Sequence, residues 1–439
     1  MIKFLYCFLF ILLTILPQTK AFCNTLSVIR DTQMEQYALT GVKKLFQNAE
    51  LNADAVQVVF LNDLSLNAFV AGGSVVYIHA GLITQTDNPD EFFGVLAHET
   101  GHVVGGHTIR LVNEMEKAQT TAFITTLLGG VAAVASGRGD VGIAIMLGGM
   151  GSANSLLSSY RQTEENGADS IAVDLAKKSG FSVKGLYDVM KKIEKEERLR
   201  IDNVPTYLRS HPLTRDRLNF LENAAKTAGP VKEDEEFNMI KAKLYAFLKP
   251  PAETRVVYKG NSLPDIYANA IADFKETKIK ETLEKTNQLI AVQPENPYFY
   301  ELKGQILFET GQINESIKAY KQAYQLLPDA SLIRLALAQA LLETEDPENR
   351  KQAIDHLLYI TARDKYLPDA WYFLYIAYGQ DGQFSLADYA KIEYLLLTGK
   401  NNEEIKKLLP KTKKSLEKDP VKSLRLSDIE DSLNEKQSH

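Results

Sequence analysis

Apolar residues recur at helical spacing along most of this 439-residue chain, and strand-like runs are few and short. β-Branched runs at 56–60 and 67–79, the second interrupted by a Gly-Gly pair, predict a small β-sheet or hairpin. The helical pattern predicts helices over 32–49, 89–117, 154–179, 182–202, 213–227 and 235–248. The fold class expected from the pattern is therefore mainly α, with a minor β element near the N-terminus.

Beyond residue 262 the chain becomes repetitive. Pro294, Pro328 and Pro368 each close a pair of predicted helical segments, and their separations are 34 and 40 residues. A period of 34 is that of the tetratricopeptide repeat. In that register Gly304 and Tyr320 occupy the positions where the two helices of a repeat pack closely. The sequence therefore predicts an α-solenoid of tetratricopeptide repeats in this part of the chain.

The N-terminus has the layout of a secretory signal peptide. A single lysine precedes an apolar run from Phe4 to Pro17, and Ala21 offers a small residue for cleavage. The run is shorter than the ~20 apolar residues that a spanning helix needs, which disfavours the alternative of an uncleaved anchor. The predicted organisation is a signal peptide at 1–21, a first globular domain at 22–228, a linker with a short helix at 229–262, repeats at 263–400 and a charged, fraying tail at 401–439.

Composition narrows the function. The chain is 24% charged with a net charge of −6, so no basic excess points to nucleic acid as a partner. Cys7 and Cys23 are the only cysteines, and both lie near the N-terminus. A disulfide scaffold and a cysteine-based zinc site in the body of the chain are thereby excluded. Any metal site there must use histidine, aspartate or glutamate.

One motif carries chemistry of that kind. Leu96 begins the segment L-A-H-E-T-G-H, in which His98 and His102 are four residues apart on a predicted helix. At 100° per residue they lie about 40° apart on one face, so both imidazoles can bind a single zinc ion. Glu99, next to the first histidine, can take a proton from water as a general base. The apolar residues before the motif indicate that this helix is buried.

The third ligand has to come from elsewhere. A metzincin would place histidine six residues after His102, but that position is Thr108. His107 would lie about 180° around a continuous helix from His98 and should not reach the same metal. The segment E-E-N-G-A-D supplies the alternative, with Glu165 as the proposed third ligand. Asp169, four residues later on the same face, would hydrogen-bond to a ligand imidazole.

Two further segments leave alternatives open. His211 begins H-P-L-T-R-D-R, where it can approach the open zinc position, stabilise a transition state or simply cap the following helix. Residues 121–151 are apolar and rich in glycine, and Gly-Arg-Gly-Asp splits them into two pieces too short to span a bilayer. They predict either two buried helices or an apolar flap that contacts membrane or substrate.

Four motifs in this order resemble one peptidase family: N-A-F-x-x-G-G-x-x-x-x-x-x-x-G-L, H-E-T-G-H, E-N-G-A-D and H-P-L-T-R-D-R. They are similar to the gluzincin metallopeptidases related to the CAAX prenyl protease and the bacterial heat-shock membrane protease. The resemblance implies a helical zincin-type domain with one zinc ion per chain. It assigns the ligands to His98, His102 and Glu165, the base to Glu99, a catalytic or orienting role to Asp169, and a latch over the zinc to His211. Many members carry an arginine where this chain has Gln162.

The expected function is zinc-dependent endoproteolysis of extended or misfolded protein segments in the periplasm. A substrate chain would add as a strand along an edge formed by Gly72, Gly73, Val75 and Tyr77. By the family resemblance, the repeats would dock components of the outer-membrane assembly machinery, and the clients would be misassembled β-barrel precursors. The alternative is a chaperone or scaffold whose metal site is latent or unused.

Overall fold

The computed structural model describes residues 27–72, 74–107, 162–199, 207, 211–231, 233–364, 366–399 and 402–435. The predicted signal peptide, the glycine-rich segment 121–151 and Gly73 lie outside the described residues. Within the described part, no helix is both long enough and apolar enough to cross a bilayer.

The described residues form eighteen helices and one small sheet, which confirms the mainly α prediction. The strands are β1 (Val28–Ile29), β2 (Gln57–Leu61), β3 (Ala68–Ala71) and β4 (Val75–His79). The helices, numbered over the described residues, are α1 (Thr32–Asn48), α2 (Ala80–Gln85), α3 (Pro89–Val104), α4 (Gln162–Ser179), α5 (Val183–Leu199), α6 (Arg215–Ala225), α7 (Glu235–Leu248), α8 (Pro251–Val257), α9 (Leu263–Lys275), α10 (Ile279–Val292), α11 (Pro297–Glu309), α12 (Ile313–Leu326), α13 (Ser331–Leu342), α14 (Pro347–Arg363), α15 (Pro368–Gln380), α16 (Phe384–Thr398), α17 (Asn402–Ser415) and α18 (Pro420–Glu435).

The four strands lie in the order β1-β2-β4-β3. β2 and β4 are parallel, while β1 pairs antiparallel with β2 and β3 pairs antiparallel with β4. The β3–β4 pair is the hairpin that the Gly-Gly motif predicts. β3 is one of the two edge strands of this sheet, and it lies against α3.

The described residues divide into two compact units, one over 27–294 and 396–399 and the other over 295–395 and 402–435. In the first unit, α3 is the central element and packs against α1, α4 and α5. Phe92, Phe93 and Leu96 on α3 are buried in the main core of this unit. A central helix of this kind can present polar side chains to a site that is screened from water. The predicted domain boundaries at 228 and 262 remain predictions.

The second unit contains the helix pairs expected from the 34-residue period. α11 packs on α12, where a Cβ added to Gly304 would stand 2.6 Å from the ring of Tyr320. The absence of a side chain at Gly304 is therefore what lets the two helices approach. This contact involves the two positions that the repeat register singles out.

Two expectations about element boundaries are wrong. The helix predicted over 89–117 ends at Val104: Gly105 caps it, and Gly106, with a positive φ of 65°, turns the chain out of the helical conformation. Residues 402–435 of the predicted fraying tail instead form α17 and α18, which pack on each other and bury Ile405, Leu409 and Leu426. Apolar residues at helical spacing outweigh the high charge of this segment.

Candidate metal centre

The candidate metal-binding face is built on α3. Asn88 caps this helix by accepting a hydrogen bond from the backbone N–H of Glu91, and Pro89 occupies the first turn. The helical rise places His98 and His102 one turn apart on the same face. Their Nε2 atoms stand 3.0 Å apart, and the two side chains are almost completely buried. The four-residue spacing thus brings the two imidazoles together as the sequence predicts.

α4 lies directly against α3 and adds carboxylates to the same place. The contact is close because Gly101 has no side chain: a Cβ there would stand 2.7 Å from the carbonyl oxygen of Ala168. Glu165 Oε1 lies 3.3 Å from His102 Nε2, and Glu165 Oε2 lies 3.4 Å from His98 Nε2. The residue proposed from sequence as third ligand therefore faces both histidines.

His211 is the fourth member of the cluster. Its Nδ1 lies 3.4 Å from His98 Nε2 and 3.2 Å from Glu165 Oε1. One donor atom from each of the four residues lies within 4.8 Å of all the others, and all four residues are buried. The structure therefore places His211 beside the candidate metal site and not at a helix cap far from it.

The donor spacing suits one zinc ion. Two ligand atoms that share a tetrahedral zinc at ordinary bond lengths stand about 3.3 Å apart. The separations among the donors of His98, His102, Glu165 and His211 run from 3.0 to 3.4 Å for the contacts just given. Imidazole nitrogen and carboxylate oxygen are also donors that zinc prefers. The residues present therefore fit a zinc site.

Asp169 lies behind the first histidine. Its Oδ1 stands 2.8 Å from His98 Nδ1, the ring nitrogen that faces away from the cluster. Arg217 donates from Nε to Asp169 Oδ2 at 2.7 Å and from Nη2 to Oδ1 at 3.0 Å. Since both carboxylate oxygens are engaged in this way, the geometry favours an orienting role for Asp169 over proton donation to a substrate.

Arg217 is the residue that the sequence reasoning missed. Only 1% of it is exposed, and its Nη1 also lies 2.8 Å from Glu165 Oε2 and donates to the carbonyl oxygen of Pro212. One guanidinium thus connects the ligand carboxylate, the carboxylate behind His98 and the loop that carries His211. Arg217 is the last arginine of the motif H-P-L-T-R-D-R, but no spacing rule relates this arginine to the zinc motif.

Glu99 occupies the position expected of a base. It is 3% exposed, its Oε1 makes no hydrogen bond within the described residues, and this atom stands 3.5 Å from His211 Nε2. Burial raises the pKa of the Glu99 carboxyl, and the electrostatic effects of His211 and His98 only partly oppose that shift. A raised pKa makes the carboxylate a stronger base, as general-base catalysis near neutral pH requires.

The two α3 histidines differ in protonation. Burial by itself lowers the pKa of His98, but the carboxylates of Asp169 and Glu165 outweigh it and raise that pKa to about 9. Burial lowers the pKa of His102 to about 3, with the Glu165 carboxylate opposing it only in part. A metal would bind these imidazoles in their neutral form.

The predicted substrate edge is wrong in part. Val75 and Tyr77 lie on β4, which pairs with β2 on one side and with β3 on the other. Backbone groups that are paired on both sides cannot accept another strand. Gly72 lies in the turn between β3 and β4 with a φ of 61°. Among the described residues, no strand pairs with β3 on the side away from β4.

Comparison with known proteins agrees with this geometry. Residues 33–225 match the model of peptidase family M48, and residues 304–344 match a TPR repeat model. The beta-barrel assembly-enhancing protease of Yersinia pestis is 25% identical over 86% of this chain and 79% of its own length. The protein of that name from Escherichia coli K12 is 25% identical over 73% of this chain and 67% of its own. Metalloprotease YcaL of E. coli K12 is 27% identical over 34% of this chain and 54% of its own. Residues 33–225 thus match a peptidase family M48 domain, which includes the cluster of side chains that could hold a metal ion, and a match to a tetratricopeptide repeat follows.

Proposed function

We propose that this protein is a zinc-dependent metalloendopeptidase that cleaves extended or misfolded protein segments. The observation that carries the proposal is the cluster of His98, His102 and Glu165 with the buried Glu99 carboxylate beside it. These three residues would be the resident zinc ligands, with one ion per chain. The test is cleavage of unfolded casein by the zinc-loaded protein, compared with the Glu99→Gln variant and with wild type after chelation.

Each residue then has a defined task. Zinc held by the three ligands supplies Lewis acidity, which makes water more acidic and polarises a carbonyl group. Glu99 takes the proton from the water that attacks the scissile carbonyl, and can return it to the departing amine. Asp169 fixes the ring of His98 through Nδ1, while Arg217 holds the carboxylates of Asp169 and Glu165.

The substrate would bind beside β3. His79 donates its backbone N–H to the carbonyl of Asn67, so residues 67, 69 and 71 form the hydrogen-bonded pairs with β4. The N–H and C=O groups of Ala68 and Val70 therefore point away from β4. An extended chain can add to this edge by main-chain bonds, which tolerate many sequences. β3 also lies against α3, the helix that carries His98 and His102.

We predict that Val70→Pro lowers kcat/KM for unfolded casein by about 2- to 10-fold, the value of one hydrogen bond. Proline removes the outward N–H without removing a bond of the β3–β4 ladder. The measurement is steady-state cleavage, with Val70→Ala as the control that shortens the side chain but keeps the N–H. Equal losses in the two variants would mean that the side chain matters and that the edge does not pair.

His211 is proposed as a latch over the metal. Its Nδ1 lies among the ligand donors and its Nε2 faces Glu99, so the imidazole takes up space that a substrate carbonyl and water need. Tyr207 stacks on the His211 ring, with centroids 4.6 Å apart and planes inclined by 26°. The backbone N–H of His211 also donates to the carbonyl of Tyr207, which fixes their relative position.

If His211 is a latch, His211→Ala should raise the rate of casein cleavage by about 2- to 10-fold. The variant loses one hydrogen-bonded contact that stabilises the state in which His211 covers the metal. Initial rates at saturating zinc measure this effect. Tyr207→Leu, which removes the stacking contact, should shift the rate in the same direction by less. A slower His211→Ala enzyme would instead assign this histidine to transition-state stabilisation.

The relatives that bear the name beta-barrel assembly-enhancing protease support a proposal for the biological setting. We propose export to the periplasm through the signal peptide at 1–21, and a role in quality control and assembly of outer-membrane β-barrel proteins. The tetratricopeptide repeats would dock components of the assembly machinery, since such arrays offer extended concave surfaces for partners. Unfolded and misassembled proteins would be the substrates, and the segment 121–151 would make any peripheral membrane contact.

A chaperone or scaffold is the second candidate, and the placement of His211 favours it. With four protein donors the metal site has the ligand number of a closed structural zinc rather than of an open catalytic one. Suppression of casein aggregation without cleavage, in wild type and in His211→Ala alike, would support this function. Cleavage by His211→Ala would reject it in favour of a latent protease.

A further inference from the structure

We infer that His107 is a positioning residue for the metal ligand His102, holding its ring from behind as Asp169 holds that of His98. The Nδ1 atoms of His102 and His107 stand 2.7 Å apart, and the ring planes are inclined by 74°. His102 therefore directs Nε2 to the cluster and Nδ1 to His107. This inference rests on the proposed zinc site and adds a residue to it.

A ligand imidazole that binds metal through Nε2 carries its proton on Nδ1 and needs an acceptor there to fix the ring. His107 Nδ1 is placed to be that acceptor, which puts the proton of His107 on its own Nε2. The acceptor behind His98 is a carboxylate, whereas the acceptor behind His102 is an imidazole. The rings of the two proposed ligands are thus oriented by different types of acceptor.

Charge explains why a neutral acceptor suits this position. Among the described residues, the buried charged side chains around the cluster are the carboxylates of Glu99, Glu165 and Asp169 and the guanidinium of Arg217. A divalent cation in the cluster balances the two remaining negative charges. A fourth carboxylate behind His102 would leave an uncompensated buried charge, which is costly in a site closed to water. A neutral imidazole fixes the ring without that cost.

The backbone places His107 by breaking the helix. On a continuous helix residues 102 and 107 point about 140° apart and could not touch. α3 instead ends at Val104, and Gly106, with its positive φ, turns the chain back so that His107 is buried beside His102. Gly105 leaves the room for its ring: a Cβ there would stand 2.4 Å from His107 Nε2. The ring is therefore held in one position.

The test is zinc affinity of the whole chain, measured by competition with a chromogenic chelator in the absence of substrate. We expect His107→Leu to weaken zinc binding by about 10- to 100-fold. His107→Asn should stay within about threefold of wild type, because its amide oxygen can replace Nδ1 as the acceptor. The visible spectrum of the Co²⁺-loaded protein should change in the leucine variant and remain nearly unchanged in the asparagine variant.

Unfolding of the metal-free protein is the control that separates positioning from a structural role. If His107→Leu proves too unstable to purify, Gly105→Ala displaces the same ring and should weaken zinc binding in the same direction. Wild-type affinity and spectrum in His107→Leu would overturn the inference while leaving the proposed protease intact. Loss of cleavage by a wild type that binds zinc tightly would overturn only the protease. No zinc binding by wild type would overturn both.

Discussion

Glu99→Gln is expected to lower casein cleavage by about 10²- to 10⁴-fold while zinc stays bound, because only the general base is lost. Glutamine keeps the shape of the side chain but cannot accept the proton of the attacking water. Glu99 is not among the four residues whose donor atoms cluster, so the ligands stay in place. Zinc content by elemental analysis and initial rates of cleavage measure the two effects independently.

The matched control is Glu164→Gln, which makes the same chemical change one residue before the ligand Glu165 and outside the metal cluster. It should retain both zinc and near wild-type cleavage. Proteolysis by Glu99→Gln at the wild-type rate, in a preparation free of other proteases, would contradict the assignment of the base. Loss of zinc from that variant would instead show that Glu99 supports the ligands.

Arg217→Met carries the largest expected effect on stability. Its guanidinium is the partner of two buried carboxylates, Asp169 and Glu165. Methionine fills a similar volume but leaves both carboxylates without their counter-charge. Breaking a buried ion pair in this way costs about 3–5 kcal/mol, so the free energy of unfolding of the metal-free protein should fall by that amount. Urea unfolding of the zinc-free protein measures it.

Two variants control this experiment. Arg215→Met alters an exposed arginine two residues earlier on α6 and should change the free energy of unfolding by less than about 0.5 kcal/mol. Arg217→Lys keeps the charge but loses the paired geometry of the guanidinium, and should fall between the two. A loss below about 1 kcal/mol for Arg217→Met would mean that Asp169 and Glu165 find other partners.

The part of the site that sequence could predict is the part set by local geometry. The spacing of His98 and His102 corresponds to one turn of helix, and their Nε2 atoms are accordingly adjacent. Glu165 and Asp169 share a helix face for the same reason, and each faces a histidine. The repeat register placed Gly304 against Tyr320, where the structure has a close helix contact.

The sequence-based predictions that were wrong concern the pairing of strands and the end of a helix. Val75 and Tyr77 belong to a strand, as expected, but a single strand does not reveal how many neighbours it has. Strand order depends on residues that are distant in sequence. The end of α3 was also missed, because helical spacing beyond Val104 suggested continuation where Gly105 and Gly106 end the helix. That error hid the contact between His107 and His102.

The sequence by itself determined the helical class, the metal-binding motif and the repeat period, since each follows from periodicities of the chain over a few turns. Only the tertiary structure decided that Arg217 joins Asp169 to Glu165, that His211 lies among the proposed ligands and that β3 is an edge strand of the sheet that the described residues form. The physical reason is the separation along the sequence of the residues that interact. A helical periodicity relates neighbours in sequence, whereas burial brings together charges from α3, α4 and α6, whose mutual distances no local pattern encodes.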